Sequence, residues 1–396
     1  MTLLVGRVTA SAFPELDAEF VEAHAAPMRA IFDPMAGGSR RIVIFGTRAL
    51  GHRILVSARA AGLDVCAAAD NDEVRRQGEL DGVRILPPRE AVERFGESAV
   101  FVVAIYNPGA VVEQLREYGC RRIATFPEYF ANFSEYFGGM TGLALPESLL
   151  SHAKEIREAS ELLSDAASRR EYSAQIAWRC TFDDALLAQP LEHSDMYFDP
   201  TIYGLSGCET LVDCGAFDGD SIREFMKRTG GAFHHAYAIE PDQENRRSLE
   251  EYVAGLSSAV SGAVTVLPFA VSDQNGMIRF DAGLGMASSA KESGAIEVPC
   301  RRLDDVIGIA PTLIKMDIEG AEPFALRGAE ALIRSARPVL AICAYHYCEH
   351  LWEIPELLRK LAPDSHIVLR RYAEQCWETV YYAVPPERCR RADLDD

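Results

Sequence analysis

Short apolar runs alternate with longer amphipathic segments over most of the chain. In the N-terminal third, apolar runs occur at residues 42–45, 65–69 and 98–107, with segments of helical spacing between and after them. Apolar runs of this length predict buried strands, and strands that alternate with helices predict a parallel sheet. The pattern therefore predicts a Rossmann-like domain over residues 39–135.

Residues 146–195 lack the short apolar runs of the preceding segment and have the residue spacing of helices. Leu, Ile and Ala recur at helical spacing among many charged residues, and neither Pro nor Gly occurs between residues 147 and 189. This spacing predicts two helices that connect two domains. The connector could cap a ligand pocket, or it could equally be a spacer or a dimer contact.

The alternation of apolar and amphipathic segments returns in the remainder of the chain and predicts a second α/β domain over residues 196–388. Its predicted strands lie near residues 211–214, 236–239, 264–271, 313–316 and 338–346. The last two apolar runs, 366–372 and 377–384, are close enough to form a hairpin, which would make one edge strand antiparallel. A Gly-, Ser- and Ala-rich segment at 283–294 has the composition of a mobile loop beside a site.

The segment LVDCGAFDGDS, residues 211–221, carries the clearest sign of a ligand site. A strand, a glycine turn, a helix and a second strand ending at Glu240 form the layout of a nucleotide-binding half-sheet. The spacing of Asp213, Gly215 and Gly219 differs from that of the dinucleotide motif G-x-G-x-x-G. It favours S-adenosylmethionine, because this cofactor has no pyrophosphate for a helix N-terminus to hold.

The predicted contacts with this cofactor follow from the layout. The two glycines would let the backbone approach the methionine and ribose portion, and Glu240 would accept hydrogen bonds from both ribose hydroxyls. Phe269 and Ala270, at the end of the next strand, would lie beside the adenine. The full predicted set is Asp213, Gly215, Ala216, Phe217, Asp218, Gly219, Ser221, Glu240, Pro241, Phe269, Ala270 and Asp317. The alternative is an ordinary strand-turn-helix unit without a ligand.

Asp317 and His346 are the predicted catalytic residues, because each ends a predicted strand and the two strands are neighbours. Methyl transfer to a hydroxyl requires the acceptor oxygen, methyl and sulfur in line, and a group that takes the hydroxyl proton. Asp317 could instead bind the cofactor amine, and His346 could cap a helix. Glu319 and Glu322, three apart on a predicted helix, could join them in a metal site. A solvated acid pair is the commoner explanation, and we predict no required metal.

The order of several motifs resembles the FkbM family of S-adenosylmethionine-dependent methyltransferases over residues 196–385. These motifs are VDCGAFDGDS, IEPD, AVSD, VPCRRLDD, IKMDIEGAE and a P-V-L strand that ends near a histidine. The resemblance implies a class I methyltransferase fold with a seven-stranded Rossmann-like sheet. It also implies transfer mostly to hydroxyl groups of sugars or natural products. Many members carry a glutamate just before the histidine, whereas this chain reads ICAYH, which leaves His346 as the candidate base.

The N-terminal part resembles the Rossmann-like domain of PglD-type sugar-nucleotide acyltransferases. The similar features are the turn GTRALG, the acidic cluster Asp70-Asn71-Asp72 and the phrase LDGVRILPP. The resemblance implies a nucleotide-sugar site with Gly46 and Gly51 beside the phosphates and Asp70 beside a ribose. The hexapeptide repeats of those enzymes are absent, so acyl transfer does not carry over. The alternative is a docking unit without a ligand.

Composition narrows the classes of function. The 396 residues are 48% hydrophobic and 25% charged, with a formal net charge of −19, which argues against a nucleic-acid partner. No apolar run reaches the ~18 residues of a membrane span, and the first residues lack the pattern of a signal peptide. Ten scattered cysteines without a C-x-x-C pair indicate reduced thiols and a cytoplasmic location.

Together these observations predict an O-methyltransferase that uses S-adenosylmethionine and acts on a hydroxyl of a sugar, glycan or natural-product acceptor. A homodimer and a nucleotide-sugar ligand of the N-terminal domain are further possibilities. The alternative from a different class of function is a non-catalytic scaffold that binds a nucleotide-sugar or docks a partner enzyme.

Overall fold

The computed structural model describes residues 30–137, 142–281, 289–290 and 296–390. Within these ranges the chain divides into two compact units. The first takes residues up to 137, 143–153 and 174–188, and the second takes residue 142, residues 154–173 and those from 189 onward. The predicted connector, 146–195, is thus shared between the units, and the predicted domain boundaries stay predictions.

A six-stranded sheet forms the centre of the first unit, with strand order β3-β4-β2-β1-β5-β6. All neighbours are parallel except β3 and β4, so the predicted parallel sheet is confirmed for most of its width. The strands are β1 Arg41–Phe45, β2 Asp64–Ala69, β3 Glu79–Leu80, β4 Val83–Leu86, β5 Val100–Val103 and β6 Ile123–Thr125. The helices are α1 Ala49–Ala60, α2 Pro88–Phe95, α3 Gly109–Glu117 and α4 Phe126–Phe133.

Three helices, not the predicted two, occupy the connector segment: α5 Pro146–Ser151, α6 Ala153–Glu161 and α7 Ala166–Thr181. The break before α7 has a local cause. The Asp165 carboxylate accepts a hydrogen bond from the backbone N–H of Ser168 at 2.6 Å, the contact of a helix N-cap. Because Asp165 caps α7, a new helix begins there. The spacing of apolar residues does not show such a cap, so the prediction missed the break.

The second unit contains a seven-stranded sheet and a four-stranded sheet. The larger has strand order β16-β17-β15-β14-β7-β8-β9, and the smaller has order β10-β13-β11-β12. The strands are β7 Thr210–Cys214, β8 His235–Ile239, β9 Val264–Leu267, β10 Ala270–Val271, β11 Gly276–Asp281, β12 Ser289–Ala290, β13 Ile296–Arg301, β14 Leu313–Met316, β15 Val339–Cys343, β16 His366–Arg371 and β17 Thr379–Val384. The helices are α8 Asp220–Thr229, α9 Gln243–Ala254, α10 Ser258–Ser261, α11 Leu303–Val306, α12 Glu322–Arg327, α13 Glu330–Ala336 and α14 His350–Leu361.

One strand prediction for this unit is wrong in detail. The predicted strand 264–271 is divided between the two sheets, because β9 stops before Pro268, which has no backbone N–H for a sheet hydrogen bond. The predicted terminal hairpin is confirmed, because the edge strand β16 pairs antiparallel with β17. Strand β17 in turn pairs antiparallel with β15. The predicted loop 283–294 contains β12 and otherwise lies outside the described residues.

Strand β16, at one edge of the larger sheet, is bonded along its outer side to the segment between α6 and α7. The backbone N–H of Ser164 donates to the carbonyl of Ile367 at 2.8 Å, and the N–H of Ile367 donates to Ser164 Oγ at 2.9 Å. The Asp165 carboxylate lies 2.7 Å from a guanidinium nitrogen of Arg370, and both side chains are buried. These contacts satisfy backbone groups that an open sheet edge would leave exposed.

The centre of the larger sheet holds a buried ion pair between β7 and β14. Lys315 Nζ lies 3.0 Å from Asp213 Oδ1, and the two residues are register partners on neighbouring strands. Lys315 also donates to the carbonyl of Gly215 at 2.7 Å, and Ser221 Oγ donates to Asp213 Oδ2 at 2.7 Å. Burial acts to lower the pKa of Lys315, but the Asp213 carboxylate raises it, so the lysine is charged.

Seven of the ten cysteines are buried. None of the helices in the described part of the chain combines the length and apolar character needed to cross a membrane.

Replacing Lys315 with Met should lower the free energy of unfolding by about 3–5 kcal/mol, because it leaves the buried Asp213 carboxylate without its counter-charge. Urea denaturation measures this loss. In the double variant Lys315→Met/Asp213→Asn the loss should be smaller, since no buried charge remains. A double variant less stable than Lys315→Met would contradict this account.

Candidate active site

A cleft that is partly open to solvent lies at the carboxyl ends of the central strands of the second unit. The strand order reverses here, because the chain proceeds from β7 to β8 in one direction and from β14 to β15 in the other. Open α/β sheets bind ligands at such a point. The predicted residues that line the cleft are Gly215, Phe217, Glu240, Pro241, Phe269, Ala270 and Asp317.

The glycine turn after β7 is shaped by contacts within the protein. Gly215 has φ +80°, and a Cβ on it would lie 1.9 Å from the backbone oxygen of Asp317. Gly219 has φ +90° and precedes α8, where a Cβ would lie 2.9 Å from a methyl carbon of Leu249. Both positions therefore need glycine for packing, a reason that the sequence motif alone does not give.

Several predicted contact residues do not line the cleft, namely Asp213, Ala216, Asp218, Gly219, Ser221 and His346. Asp213 is fully buried and holds Lys315 and Ser221. Asp218 forms an ion pair with Arg223. The structure thus gives Asp213 a structural contact where we predicted a cofactor contact, because its carboxylate is already taken by a lysine on the neighbouring strand.

Glu240 is placed directly after β8, with its carboxylate at the cleft wall and the residue only 5% exposed. Its Oε2 accepts the backbone N–H of Phe217 at 3.0 Å, and its Oε1 accepts that of Asp242 at 2.8 Å. Each oxygen keeps a further lone pair for a ligand donor. Burial raises the pKa of Glu240 to about 7.

Asp317 is the first residue after β14, and its carboxylate is fixed by two phenols. Tyr197 donates to Oδ2 at 2.8 Å, and Tyr345 donates to Oδ1 at 3.1 Å. Both tyrosines line the cleft, and the sequence analysis did not select either. The sequence offered one indication for Tyr345, because it stands directly before His346, at the position where the family often has an acid. Tyr197 had none, because it precedes the first strand of its sheet.

His346 lies behind Asp317, three residues after β15 ends, with its side chain only 4% exposed. Its Nε2 is 3.4 Å from Asp317 Oδ1 and 3.7 Å from Glu319 Oε2, and its Nδ1 is 3.0 Å from Glu322 Oε1. Burial acts to lower the pKa of His346, but these carboxylates, Glu322 first, raise it to about 10. A protonated imidazole accepts no proton at neutral pH, so this environment does not favour the predicted base role.

Glu319 and Glu322 do not share a helix face as predicted. The helix α12 begins at Glu322, whereas Glu319 has φ +57° and Gly320 has φ +101°, so both lie in a left-handed turn. Glu319 lines the cleft, and burial raises its pKa to about 8. Glu322 is fully buried and accepts the backbone N–H of Ile318 at 2.9 Å.

In the first unit, the predicted nucleotide-sugar residues contact one another or their own turn. Asp70 Oδ2 accepts the backbone N–H of Thr47 at 3.0 Å and its hydroxyl at 2.6 Å. A Cβ on Gly51 would lie 2.0 Å from the carbonyl oxygen of Gly46. The glycine turn is therefore closed by its own contacts, and a nucleotide-sugar ligand stays a prediction.

The comparisons with known proteins give a family match that lies within the second unit. Residues 213–371 match the family model of the methyltransferase FkbM domain. The crystal structure of methyltransferase FkbM from Methylobacillus flagellatus KT is similar with a TM-score of 0.73 at 23% sequence identity. The similarity covers 93% of this chain and 99% of that chain, so the fold is shared over nearly the whole length.

Two other solved structures are far less similar. A putative rRNA-methylase from Clostridium thermocellum has a TM-score of 0.29 at 8% identity, covering 46% of this chain and 89% of that chain. Precorrin-6y C5,15-methyltransferase from Geobacter metallireducens GS-15 has a TM-score of 0.29 at 13% identity, covering 46% and 82%. No curated protein sequence gives a significant match.

The match to the family model begins at Asp213 in β7 and ends at Arg371 in β16, and it includes Glu240, Asp317 and His346. None of the comparisons supports the resemblance of the N-terminal part to PglD. Residues 213–371 thus match a methyltransferase FkbM domain, and the chain is an S-adenosylmethionine-dependent methyltransferase.

Proposed function

We propose that the cleft binds S-adenosylmethionine and that the enzyme transfers its methyl group to a hydroxyl of a sugar, glycan or natural-product acceptor. The observation that carries this proposal is that Glu240 and Asp317 follow two strands of one sheet and face one cleft. A carboxylate able to hold a ribose and a carboxylate able to hold an acceptor thus lie on opposite sides of the point where the strand order reverses.

The cofactor would lie along the carboxyl ends of β7, β8 and β9. Glu240 would accept hydrogen bonds from the ribose hydroxyls, and charge-assisted bonds of this kind are the stronger ones. Phe269 and Ala270 would border the adenine, as predicted from the sequence. The turn at Gly215 would face the methionine portion, because Gly215 lines the cleft and lies directly beside the backbone of Asp317.

Methyl transfer then needs an oxygen held in line with the sulfonium. As the oxygen–carbon bond forms, the carbon–sulfur bond breaks, its electron pair stays on sulfur, and the hydroxyl proton leaves the oxygen. Asp317 would accept the hydrogen bond of the acceptor hydroxyl and then its proton. Tyr197 and Tyr345 would fix the carboxylate, and His346 would be a positioning residue behind it.

The acceptor class in this proposal comes from the family resemblance and from the need of an alcohol for a nearby proton acceptor. The second candidate function is a scaffold that binds a nucleotide-sugar or a partner enzyme without catalysis. S-adenosylhomocysteine separates the two, because a catalytic enzyme binds this product and a scaffold without the cofactor site does not. A mass gain of one methyl on candidate nucleotide-sugars or glycosides would identify the acceptor.

Replacing Gly215 with Ala should abolish binding of S-adenosylhomocysteine, because the new Cβ displaces the backbone at Asp317. Calorimetry measures the binding. Gly230→Ala is the matched control, since Gly230 also has a positive φ but has nothing within 4 Å of its Cβ position. Both variants should lose about 1–2 kcal/mol of stability from the left-handed backbone, and Gly215→Ala should lose more because its Cβ also overlaps the backbone of Asp317. Normal binding by Gly215→Ala would show that the turn is not part of the site.

The affinity for S-adenosylhomocysteine should rise with pH through about 7, because ribose hydroxyls favour the ionised form of Glu240 and binding therefore releases its proton. In Glu240→Gln, binding should weaken by about 1–3 kcal/mol above this pH and lose the pH dependence. Calorimetry in buffers of different ionisation enthalpy measures both effects. Glu244→Gln, an exposed glutamate nearby, should behave as the wild type. A pH dependence retained in Glu240→Gln would assign it to another group.

Replacing Asp317 with Asn should lower the turnover number by ~10²–10⁴-fold, the usual effect of removing a general base. Turnover is measured by mass spectrometry with an acceptor that the wild type methylates. Asp364→Asn, which removes an exposed carboxylate paired with Arg337, is the control. An unchanged rate in Asp317→Asn would mean that the hydroxyl proton leaves by another route.

A further inference from the structure

A group of acids and histidines extends from the cleft into the interior of the second unit. We call Asp317, Glu319, Glu322, His346 and His350 the acid–histidine cluster. Two members line the cleft, Asp317 and Glu319, and the side chains of the other three are at least 96% buried. Nothing in the proposed methyl transfer requires Glu322 or His350, so the buried half of the cluster needs its own explanation.

The buried half of the cluster contains polar atoms without hydrogen-bond partners among the described residues. These atoms are Glu322 Oε2, His346 Nδ1 and His350 Nδ1. Two of the distances are nevertheless short: His346 Nδ1 is 3.0 Å from Glu322 Oε1, and His350 Nδ1 is 3.5 Å from Glu322 Oε2. Both imidazoles therefore lie against the Glu322 carboxylate. Buried polar atoms are rarely left in this way, because each orphan costs about 1–3 kcal/mol.

The cluster also has more negative than positive charge. Within the described ranges, the ion pairs of Asp317, Glu319 and Glu322 are all with histidines, and neither Lys nor Arg takes part. Carboxylates removed from water are retained at a reasonable cost only when they are paired or coordinate a metal. Imidazole and carboxylate are also the donors that bind transition metals.

The donor atoms lie at distances close to those around one ion. Asp317, Glu322 and His346 each offer an atom, and these three atoms all lie within 4.8 Å of one another. Atoms that bind one ion at ~2.0–2.2 Å lie at most about 4.4 Å apart. A small movement of the side chains would bring all three atoms within reach of one ion.

We propose that Asp317, Glu322 and His346 bind a divalent first-row transition-metal ion at the base of the cleft. Two carboxylates and one imidazole suit Mn²⁺, Fe²⁺ or Zn²⁺ better than Mg²⁺ or Ca²⁺, which prefer oxygen ligands alone. His350 lies beside the second oxygen of Glu322 and either orients it or adds a fourth ligand. This proposal replaces the sequence-based expectation that no metal is required.

The site would be open only on the side of Asp317, because Glu322 and His346 are buried. A ligand from the cleft could therefore reach one face of the ion. If the proposed function holds, that ligand is the acceptor oxygen, whose proton becomes more acidic when the oxygen is bound to a metal ion. Binding of the metal itself does not depend on the proposed function.

The test uses full-length protein treated with a chelator and titrated with Mn²⁺ or Zn²⁺ alone. Calorimetry and the Mn²⁺ electron paramagnetic resonance signal should show one ion per chain in the wild type. Glu322→Gln and His346→Gln should each weaken binding by at least ~10-fold, since even residues around a metal's ligands contribute that much. Glu330→Gln, which removes an exposed carboxylate paired with Arg334, should bind as the wild type does.

Because Glu322 is buried, its variant could be unstable, so Asp317→Asn at the cleft wall serves as a second variant. Failure of the wild type to bind either ion at millimolar concentration would overturn the proposal. Equal binding by the wild type and Asp317→Asn, Glu322→Gln and His346→Gln would also overturn it, because the ion would then lie elsewhere. S-adenosylhomocysteine is titrated into the same wild-type preparation, so a failed metal site and a failed cofactor site give different results.

Discussion

The site of the second unit depends on the buried ion pair between Asp213 and Lys315. The pair joins β7 to β14 at the point where the strand order reverses, and Lys315 also holds the carbonyl of Gly215. Through Ser221 the same carboxylate holds the first turn of α8. One pair thus connects two strands, a turn and a helix. Because a buried charge without its partner is costly, none of these four parts can shift independently of the others.

Two of the carboxylates that line the cleft, Glu240 and Asp317, follow strands β8 and β14. Among the described residues, Glu240 is held by backbone N–H groups, whereas Asp317 is held by two phenols. The two donors to Glu240 belong to the turn after β7 and to the turn after β8, so the main chain of both turns fixes its position. The donors to Asp317 are side chains from outside its own strand. The position of Asp317 therefore depends on side-chain packing, and that of Glu240 on the main chain.

The sequence predicted the parts of the site that follow from strand ends. Glu240 and Asp317 were predicted because an apolar run shows where a strand stops, and both line the cleft. Phe269 and Ala270 also line it, although the strand predicted over 264–271 is divided before them. Tyr197 could not be found this way, since only tertiary packing brings it to Asp317. Glu319 was misplaced because a left-handed backbone at a non-glycine residue leaves no pattern in the sequence. Lys315 and Asp213 were detectable in principle, as charged residues within two apolar runs that pair in a sheet.

The contacts of Ser164 and Asp165 with the edge of β16 can form only late in the synthesis of the chain. Ser164 and Asp165 leave the ribosome about 200 residues before Ile367 and Arg370, to which they bind. Ser164 and Asp165 can therefore form these bonds only after β16 has been synthesised. Until then, the outer edge of the sheet cannot be covered. A methyltransferase fragment that begins at residue 196 would lack Ser164 and Asp165, and the outer edge of β16 would stay without these hydrogen bonds. Its edge strand would be open to pairing with other chains, so the helices before the sheet protect it from self-association.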